Sequence, residues 1–395
     1  MSDIVLSASV RQNLLSLQST AELLSTTQNR LATGKKVNSA LDNPTNFFTA
    51  QSLDSRASDI NNLLDGIGNG VQVLQAANTG ITSLQKLVDS AKSIAQQVLQ
   101  APVGYSIKSS VTSNANAGAT AANLLGGSGL VAADTLIVPS VGGGTAVTVT
   151  FGTAAGQVDT LAKLNAALSV NNVQATIDDT TGKLTITTTN DAASSTIGSL
   201  TGTATTGVGK AFNGSTSTTL TADAGSQITR ANLVSQYNNI VAQITTTAQD
   251  SSFNGTNLLN GDNLKLTFNE TGKSTLNISG VTFNAAGLGL ASVVAGTDFL
   301  DSGSANKAIT ALGAASSSLR SQASALGSNL SIVQIRQDFS KNLINVLQTG
   351  SSNLTLADTN QEAANSQALA TRQSIAVSAL ALANQSNQSV LQLLR

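Results

Sequence analysis

The sequence predicts an α+β protein that is mainly α: a long antiparallel helix bundle or coiled coil from paired N- and C-terminal regions, a small β-hairpin region and an inserted β-rich outer domain. Three observations predict it. Residues 7–31 and 373–395 both carry apolar side chains at alternating steps of three and four, the spacing of a coiled-coil seam. Between residues 134 and 188 the apolar period falls to two, the period of half-buried strands. Helical spacing then returns at residues 226–247 and 306–347, so the chain leaves a helical layer and comes back to it.

In order, residues 7–31 form an amphipathic helix with Leu14, Leu17, Ala21, Leu24, Gln28 and Leu31 as its stripe, Gln28 being the polar break. Gly34 and Pro44 punctuate the next stretch, and the residue before a proline is disfavoured in a helix, so a joint is expected at Asn43–Pro44. Two helices, residues 49–65 and 71–99, come next, the second with Ile81, Leu84, Val88, Ala91, Ala95 and Val98 on its apolar face. Pro102 and Gly104 end it.

Residues 105–133 are rich in Ser, Asn, Gly and Ala and read as linker or irregular cover. Strands follow at 134–138 and 146–151, a short helix at 161–168, and a hairpin at 173–178 and 183–188. Residues 191–225 are Gly/Ser/Thr-rich with edge-strand character. After the helix at 226–247, strands at 264–268, 274–278 and 281–283 suit a hairpin packed on helices. The last long helix spans 306–347, and LQTGSSNL, residues 347–354, reads as the joint to the tail. The domain reading is therefore an inner coiled coil from 1–44 and 354–395, a helical wall from 45–103 and 226–353 with its hairpin at 264–283, and an outer domain at 104–225.

The tail has no charge between Arg372 and Arg395, and its seam is Ala376, Leu380, Ala383, Asn387, Val390 and Leu394, with Asn387 in the polar slot. Three settings compete for it. A membrane span needs roughly 20 mostly apolar residues, and Asn384, Gln385, Ser386, Asn387, Gln388, Ser389 and Gln392 interrupt the run. A core helix of one globular domain is the plain alternative. A helix buried among copies of itself is favoured, because small residues allow close approach and amides can hydrogen-bond between copies. Asn387 and Gln28 are then either exposed breaks or register markers, as a buried Asn is in coiled coils.

Composition excludes much else. Only 10% of the 395 residues are charged and the net charge is −1, too little cation for nucleic acid. The absence of His and Cys removes the commonest general base, the commonest transition-metal ligand and all thiol chemistry. No catalytic constellation, cofactor or metal site is expected. Lys108, Ser109 and Ser110 lie in linker composition, and Asp178 with Asp179 lies where a turn wants Asp. VGGG at 141–144 has no Lys-Ser/Thr after it and is not a phosphate loop. The N-terminus shows no basic segment followed by a long apolar run, so no cleaved signal peptide is expected.

NRLATGKKVNSALDNP at 29–44, with the helix beyond it, resembles the N-terminal region of bacterial flagellins. LTLADTNQEAANSQALATRQSIAVSALALANQSNQSVLQLLR at 354–395 resembles their C-terminal region. The ββαββ stretch at 134–188 is similar to a small module inside some flagellins and hook-associated proteins. The resemblance implies a secreted structural subunit of the extracellular flagellar filament, a helical homopolymer for swimming motility. It also implies type III export, an export chaperone, a filament cap and hook-junction proteins as partners, and strand-packing switches near 254–259 and 264–283. Free terminal helices with too few partners are expected to be molten in the monomer. A hook–filament junction protein shares such termini, and a surface adhesin acting through the outer domain is an alternative of another class, disfavoured by the lack of Trp. The zinc peptidase motif of some flagellins needs histidine and has no counterpart here.

Many flagellins carry Leu-Gln-Arg-Val-Arg-Glu-Leu where an innate immune receptor reads them. The matching stretch here is Val88, Asp89, Ser90, Ala91, Lys92, Ser93 and Ile94, with Ser90 for the first arginine and Ser93 for the glutamate. Losing a bidentate Arg removes the main anchor type of such an interface.

Overall fold

The computed structural model describes residues 8–393. In order come α1 (Ala8–Thr33), α2 (Pro44–Gln100), β1 (Tyr105–Ile107), β2 (Ser110–Thr112), β3 (Thr135–Val138), β4 (Val147–Thr150), α3 (Leu161–Leu168), β5 (Val173–Asp178), β6 (Lys183–Thr188), β7 (Thr221–Ala222), α4 (Ala224–Asp250), β8 (Leu264–Thr267), β9 (Thr275–Ile278), α5 (Ser302–Thr355) and α6 (Thr359–Leu393). The expected class holds: long helices at both ends and small antiparallel sheets between them. No described helix is long and apolar enough to cross a membrane.

The chain divides into two compact units. The first comprises Met1–Val71, Lys265–Leu276 and Ser331–Arg395. Here α1 packs along α6, and the start of α2 packs on the end of α5 through Ala57, Ile60, Ile344 and Leu347, flanked by Leu53, Leu64 and Leu343. Gly34 takes a positive φ of 68° directly after α1, as a helix-ending residue without Cβ can. The chain then bonds across to the α5–α6 joint: Lys36 N–H donates to the Thr355 carbonyl at 2.7 Å and Ala357 N–H to the Gly34 carbonyl at 3.0 Å. The Lys265–Leu276 tip is held by Arg56 on Glu270 at 2.8 Å and by Arg336 over the Phe268 ring, 5.8 Å from its centroid.

The second unit comprises Gln72–Leu264 and Asn277–Leu330. On the α2 side its buried stripe runs Leu74, Ala77, Ile81, Leu84, Val88, Ala91, Ala95, Val98; on α4 it runs Leu233, Tyr237, Val241, Ile244, Ala248. Gly80 marks a close approach, because a Cβ there would meet Ser251 Oγ at 2.2 Å and Leu259 Cδ1 at 2.6 Å. The β-rich part has its own core. Sheet β2–β6–β5 and hairpin β3–β4 are antiparallel. With α3 they bury Val111, Leu136, Val149, Phe151, Leu164, Leu168 and Ile186. Thr160 caps α3 by accepting from Lys163 N–H. Asp178 accepts from Thr180 N–H at 2.9 Å and from the Thr181 hydroxyl at 2.7 Å, and these two bonds, the hydroxyl's first, hold its carboxyl below the usual carboxylate range. Its work is to shape the β5–β6 turn. Asp301 joins this part to α5: one carboxylate oxygen accepts from Ser304 N–H at 2.9 Å, the other from the Ser194 hydroxyl.

Four expectations are corrected. The helices expected at 49–65 and 71–99 are one helix, because Gly66, Gly68 and Gly70 continue it; Gly70 is where Leu266 presses in, 2.4 Å from where a Cβ would sit. The joint expected at 347–354 is helical, and α5 runs through Gly350 to Thr355. The chain turns at Leu356–Asp358, where Gly34–Val37 supplies backbone partners. Residues 105–133 are more than linker: they hold β1, β2 and the buried Leu124 and Leu130. Buried Asn116 ties them together, donating to the Leu124 carbonyl and accepting from Gly129 N–H. Finally, 281–283 forms no strand; Val281 and Phe283 N–H groups donate to the Leu258 and Leu259 carbonyls instead, with one bridge at Asn260–Thr282.

Candidate assembly surface

The terminal helices carry the candidate site. Arg30, near the end of α1, pairs with Glu362, near the start of α6, at 3.5 Å, so the two helices run antiparallel. On α1 the row facing inward is Val10, Asn13, Leu17, Thr20, Leu24 and Thr27, with Val10, Thr20 and Thr27 buried. On α6 it is Glu362, Ser366, Leu369, Gln373, Ala376, Leu380 and Ala383. Both rows step by three and four, the geometry of a two-helix seam. The Thr20 hydroxyl donates to the Ser16 carbonyl at 2.8 Å, so its burial leaves no donor unmet.

The predicted residues fall in two places. Leu17, Leu24, Ala376, Leu380 and Ala383 are half-buried on the seam, whereas Leu14, Gln28 and Leu31 are exposed beside it. Leu394, and the side chains of Asn387 and Val390, lie outside the described residues. Of the three charges on α1, Arg30 has Glu362, Glu22 is exposed, and Arg11 lines an open groove along α1 with Gln12, Leu15 and Ser19.

The seam is thin, made of small and polar side chains beside a few leucines. Meanwhile Leu15 (67% exposed), Leu23, Ile375, Val377 and Leu382 (70%) point to solvent. Burying each large aliphatic side chain is worth ~1.5–3 kcal/mol, and these five leave that burial unmade within the chain. Sequence reading missed these five. The signal was present, since each lies beside a seam position, but one apolar stripe per helix leaves no place for a second.

On α2, Asp89, Ser90 and Ser93 are exposed and Lys92 half-buried, while Val88, Ala91 and Ile94 face the core. The Ser90 hydroxyl donates to the Lys86 carbonyl of its own helix at 2.9 Å. Among the described residues, no group of three or more acidic side chains could hold a metal.

Residues 5–119 match the family model of the bacterial flagellin N-terminal helical region, and residues 309–394 that of the bacterial flagellin C-terminal helical region. Together these cover just over half of the chain. Among similar proteins are flagellins FljM and FljK of Caulobacter vibrioides, each 32% identical over 165 residues, 41% of this chain and 59% of theirs. A flagellin of Brucella melitensis is 28% identical over 179 residues, 42% of this chain and 62% of its own. The chain thus spans about three-fifths of the length of these relatives.

Proposed function

Since the chain belongs to the bacterial flagellin family, we propose that it is the structural subunit that polymerises into the helical filament of the bacterial flagellum and serves swimming motility. The observation that carries this reading is the α1–α6 pair, held by a thin seam and studded with exposed leucine, isoleucine and valine. Such a pair frays alone and gains its missing burial among copies. Contacts between unlike faces of identical subunits build an open helix where the rotation from copy to copy does not close into a ring.

In this reading residues 1–44 and 354–395 form the filament core, with Leu14, Leu17, Leu24, Gln28, Leu31, Ala376, Leu380, Ala383, Asn387, Val390 and Leu394 between copies. Residues 45–103 and 226–353 form the wall, and 104–225 face solvent outside the cell. The subunit does no catalysis. Its partners are itself first, then an export chaperone, a filament cap and hook-junction proteins. No described feature favours the junction or adhesin readings.

The test is seeded growth. Purified protein added to filament fragments elongates them under the electron microscope; fragments that stay short refute the proposal. The immune-receptor stretch yields a second expected result. With Ser90 and Ser93 in place of the charged pair, filaments and monomers stimulate receptor reporter cells weakly or not at all. Full potency removes that reading.

A further inference from the structure

A free strand edge is a row of unpaired N–H and C=O groups ready to pair with another chain. Sheet β2–β6–β5 and hairpin β3–β4 offer four such edges: β2, β3, β4 and β5. Main chain from elsewhere bonds to the first three. The Ser110 carbonyl on β2 accepts from Thr218 N–H at 2.8 Å. Ile137 on β3 exchanges bonds of 2.8 and 3.1 Å with Thr201, and the Thr150 carbonyl on β4 accepts from Val158 N–H at 2.9 Å.

The β5 edge is different. At six residues it is longer than the other three strands, which have three or four. On β6, Thr188 N–H donates to the Ser109 carbonyl and the Leu184 carbonyl accepts from Ser113 N–H, so Leu184, Ile186 and Thr188 bond toward β2. Their β5 partners Ile177, Ala175 and Val173 therefore turn their backbone groups outward. Among the described residues no main chain meets those groups. One side chain does. Asn165 Oδ1 accepts from Ala175 N–H at 2.6 Å, and its Nδ2 donates to the Ala175 carbonyl at 3.0 Å. An amide carries both a donor and an acceptor, so Asn165 bonds the central outward residue as a neighbouring strand would. Its position is fixed by α3, which is anchored through buried Leu164 and Leu168. Beside it an open groove lined by Ser169, Val173 and Gln174 leaves the start of the edge within reach of solvent.

We propose that Asn165 guards the β5 edge, keeping two copies of the chain from pairing through it and so confining self-association to other surfaces. The partner excluded is the β5 edge of a second copy. Antiparallel pairing about Ala175 sets Val173 opposite Ile177 and Gln174 opposite Thr176, with no charged residue among these five. Such a contact uses the same patch on both copies and closes at two, so it adds nothing to a growing polymer. This goes beyond the filament reading, and its test uses unseeded chains, so either can fail without the other.

Asn165→Ala in the full chain keeps its fold by circular dichroism and raises dimer formation, read by sedimentation velocity, on the order of tenfold. Adding Ile177→Pro, whose nitrogen faces away from β6, returns it to the original level, because proline is tolerated on an edge but offers no donor to a partner. The register has its own readout. Residues 174 and 176 of two copies would form a non-hydrogen-bonded pair with Cα atoms about 4.5 Å apart, within disulfide range, and the chain has no cysteine of its own. Asn165→Ala chains carrying Gln174→Cys, mixed with Asn165→Ala chains carrying Thr176→Cys and oxidised, give a mixed disulfide dimer. The same cysteine pair with Asn165 intact gives little. No rise in dimer, a rise that survives Ile177→Pro, or equal cross-linking with Asn165 intact overturns the guard. Loss of the fold in Asn165→Ala also overturns it, since the residue is then a structural tie between α3 and β5.

Discussion

Deleting residues 1–44 and 354–395 together abolishes filament growth and leaves the middle of the chain folded. The two halves of that result have separate causes. The deleted part includes α1 and α6, whose exposed Leu15, Leu23, Ile375, Val377 and Leu382 have no use inside one subunit. At ~1.5–3 kcal/mol for each aliphatic side chain that becomes buried, their loss removes several kcal/mol per subunit, a change of many orders of magnitude in association. The middle keeps its buried stripes on α2 and α4 and the separate core around Phe151, Leu164 and Ile186. Circular dichroism and seeded electron microscopy on the shortened protein read the two outcomes. Long tubes from the truncated chain contradict the assignment of the terminal helices.

Replacing Arg230 with Met destabilises the second unit by about 3–5 kcal/mol, because it leaves several buried carbonyls without a donor at ~1–3 kcal/mol each, some of which relax. Arg230 is 1% exposed. Its Nε donates to the Pro102 carbonyl at 2.6 Å, Nη2 to Val98 and Ala101 at 3.0 and 2.8 Å, and Nη1 to Phe299 and, at 3.4 Å, Asp301. These acceptors are the open end of α2 and the turn before α5. A guanidinium there meets carbonyls that the helix cannot satisfy itself and the negative end of its dipole. Burial lowers its pKa and the Asp301 carboxylate opposes that shift; a guanidinium keeps its proton in proteins.

The same side chain holds Phe299, whose φ of 61° is left-handed and costs about 1–3 kcal/mol for a bulky residue. Phe299 is fixed three ways: its carbonyl by Arg230, its N–H by the Ser304 hydroxyl at 2.9 Å, and its ring edge-on to Tyr237 at 5.5 Å. Arg230→Lys recovers little, since an ammonium cannot reach carbonyls on both sides with a planar fork. Urea denaturation of both variants measures the effect. A loss under about 1 kcal/mol, the net worth of one ordinary hydrogen bond, refutes the keystone role.

Nothing in the sequence marks Arg230. An arginine on a helix is an ordinary solvent residue until the end of α2 and the 299–301 turn are brought to it from more than sixty residues away on either side. The same holds for β2. Three residues are too few to show alternation, and its partner β6 lies some seventy residues downstream. Signals that are local were legible: α3, β5 and β6 lie where spacing and the Asp178 turn placed them. Signals read one glycine at a time misled. Gly66, Gly68 and Gly70 weaken a helix in isolation, but α2 passes through them, and at Gly70 Leu266 occupies the space a side chain would need.

For the terminal helices the sequence alone determined that α1 and α6 exist, that each has an apolar row at coiled-coil spacing, and that residues 373–394 carry no charge. Which row turns inward was settled only by the fold. The seam took Val10, Leu17, Thr20, Leu24 and Thr27 and left Leu14 and Leu31 outside. Periodicity reports that a face is buried, not against what. A helix with apolar residues on more than one face has several rotations of similar worth, and the backbone bonds of Gly34–Val37 to Thr355 and Ala357, with Arg30 on Glu362, select among them.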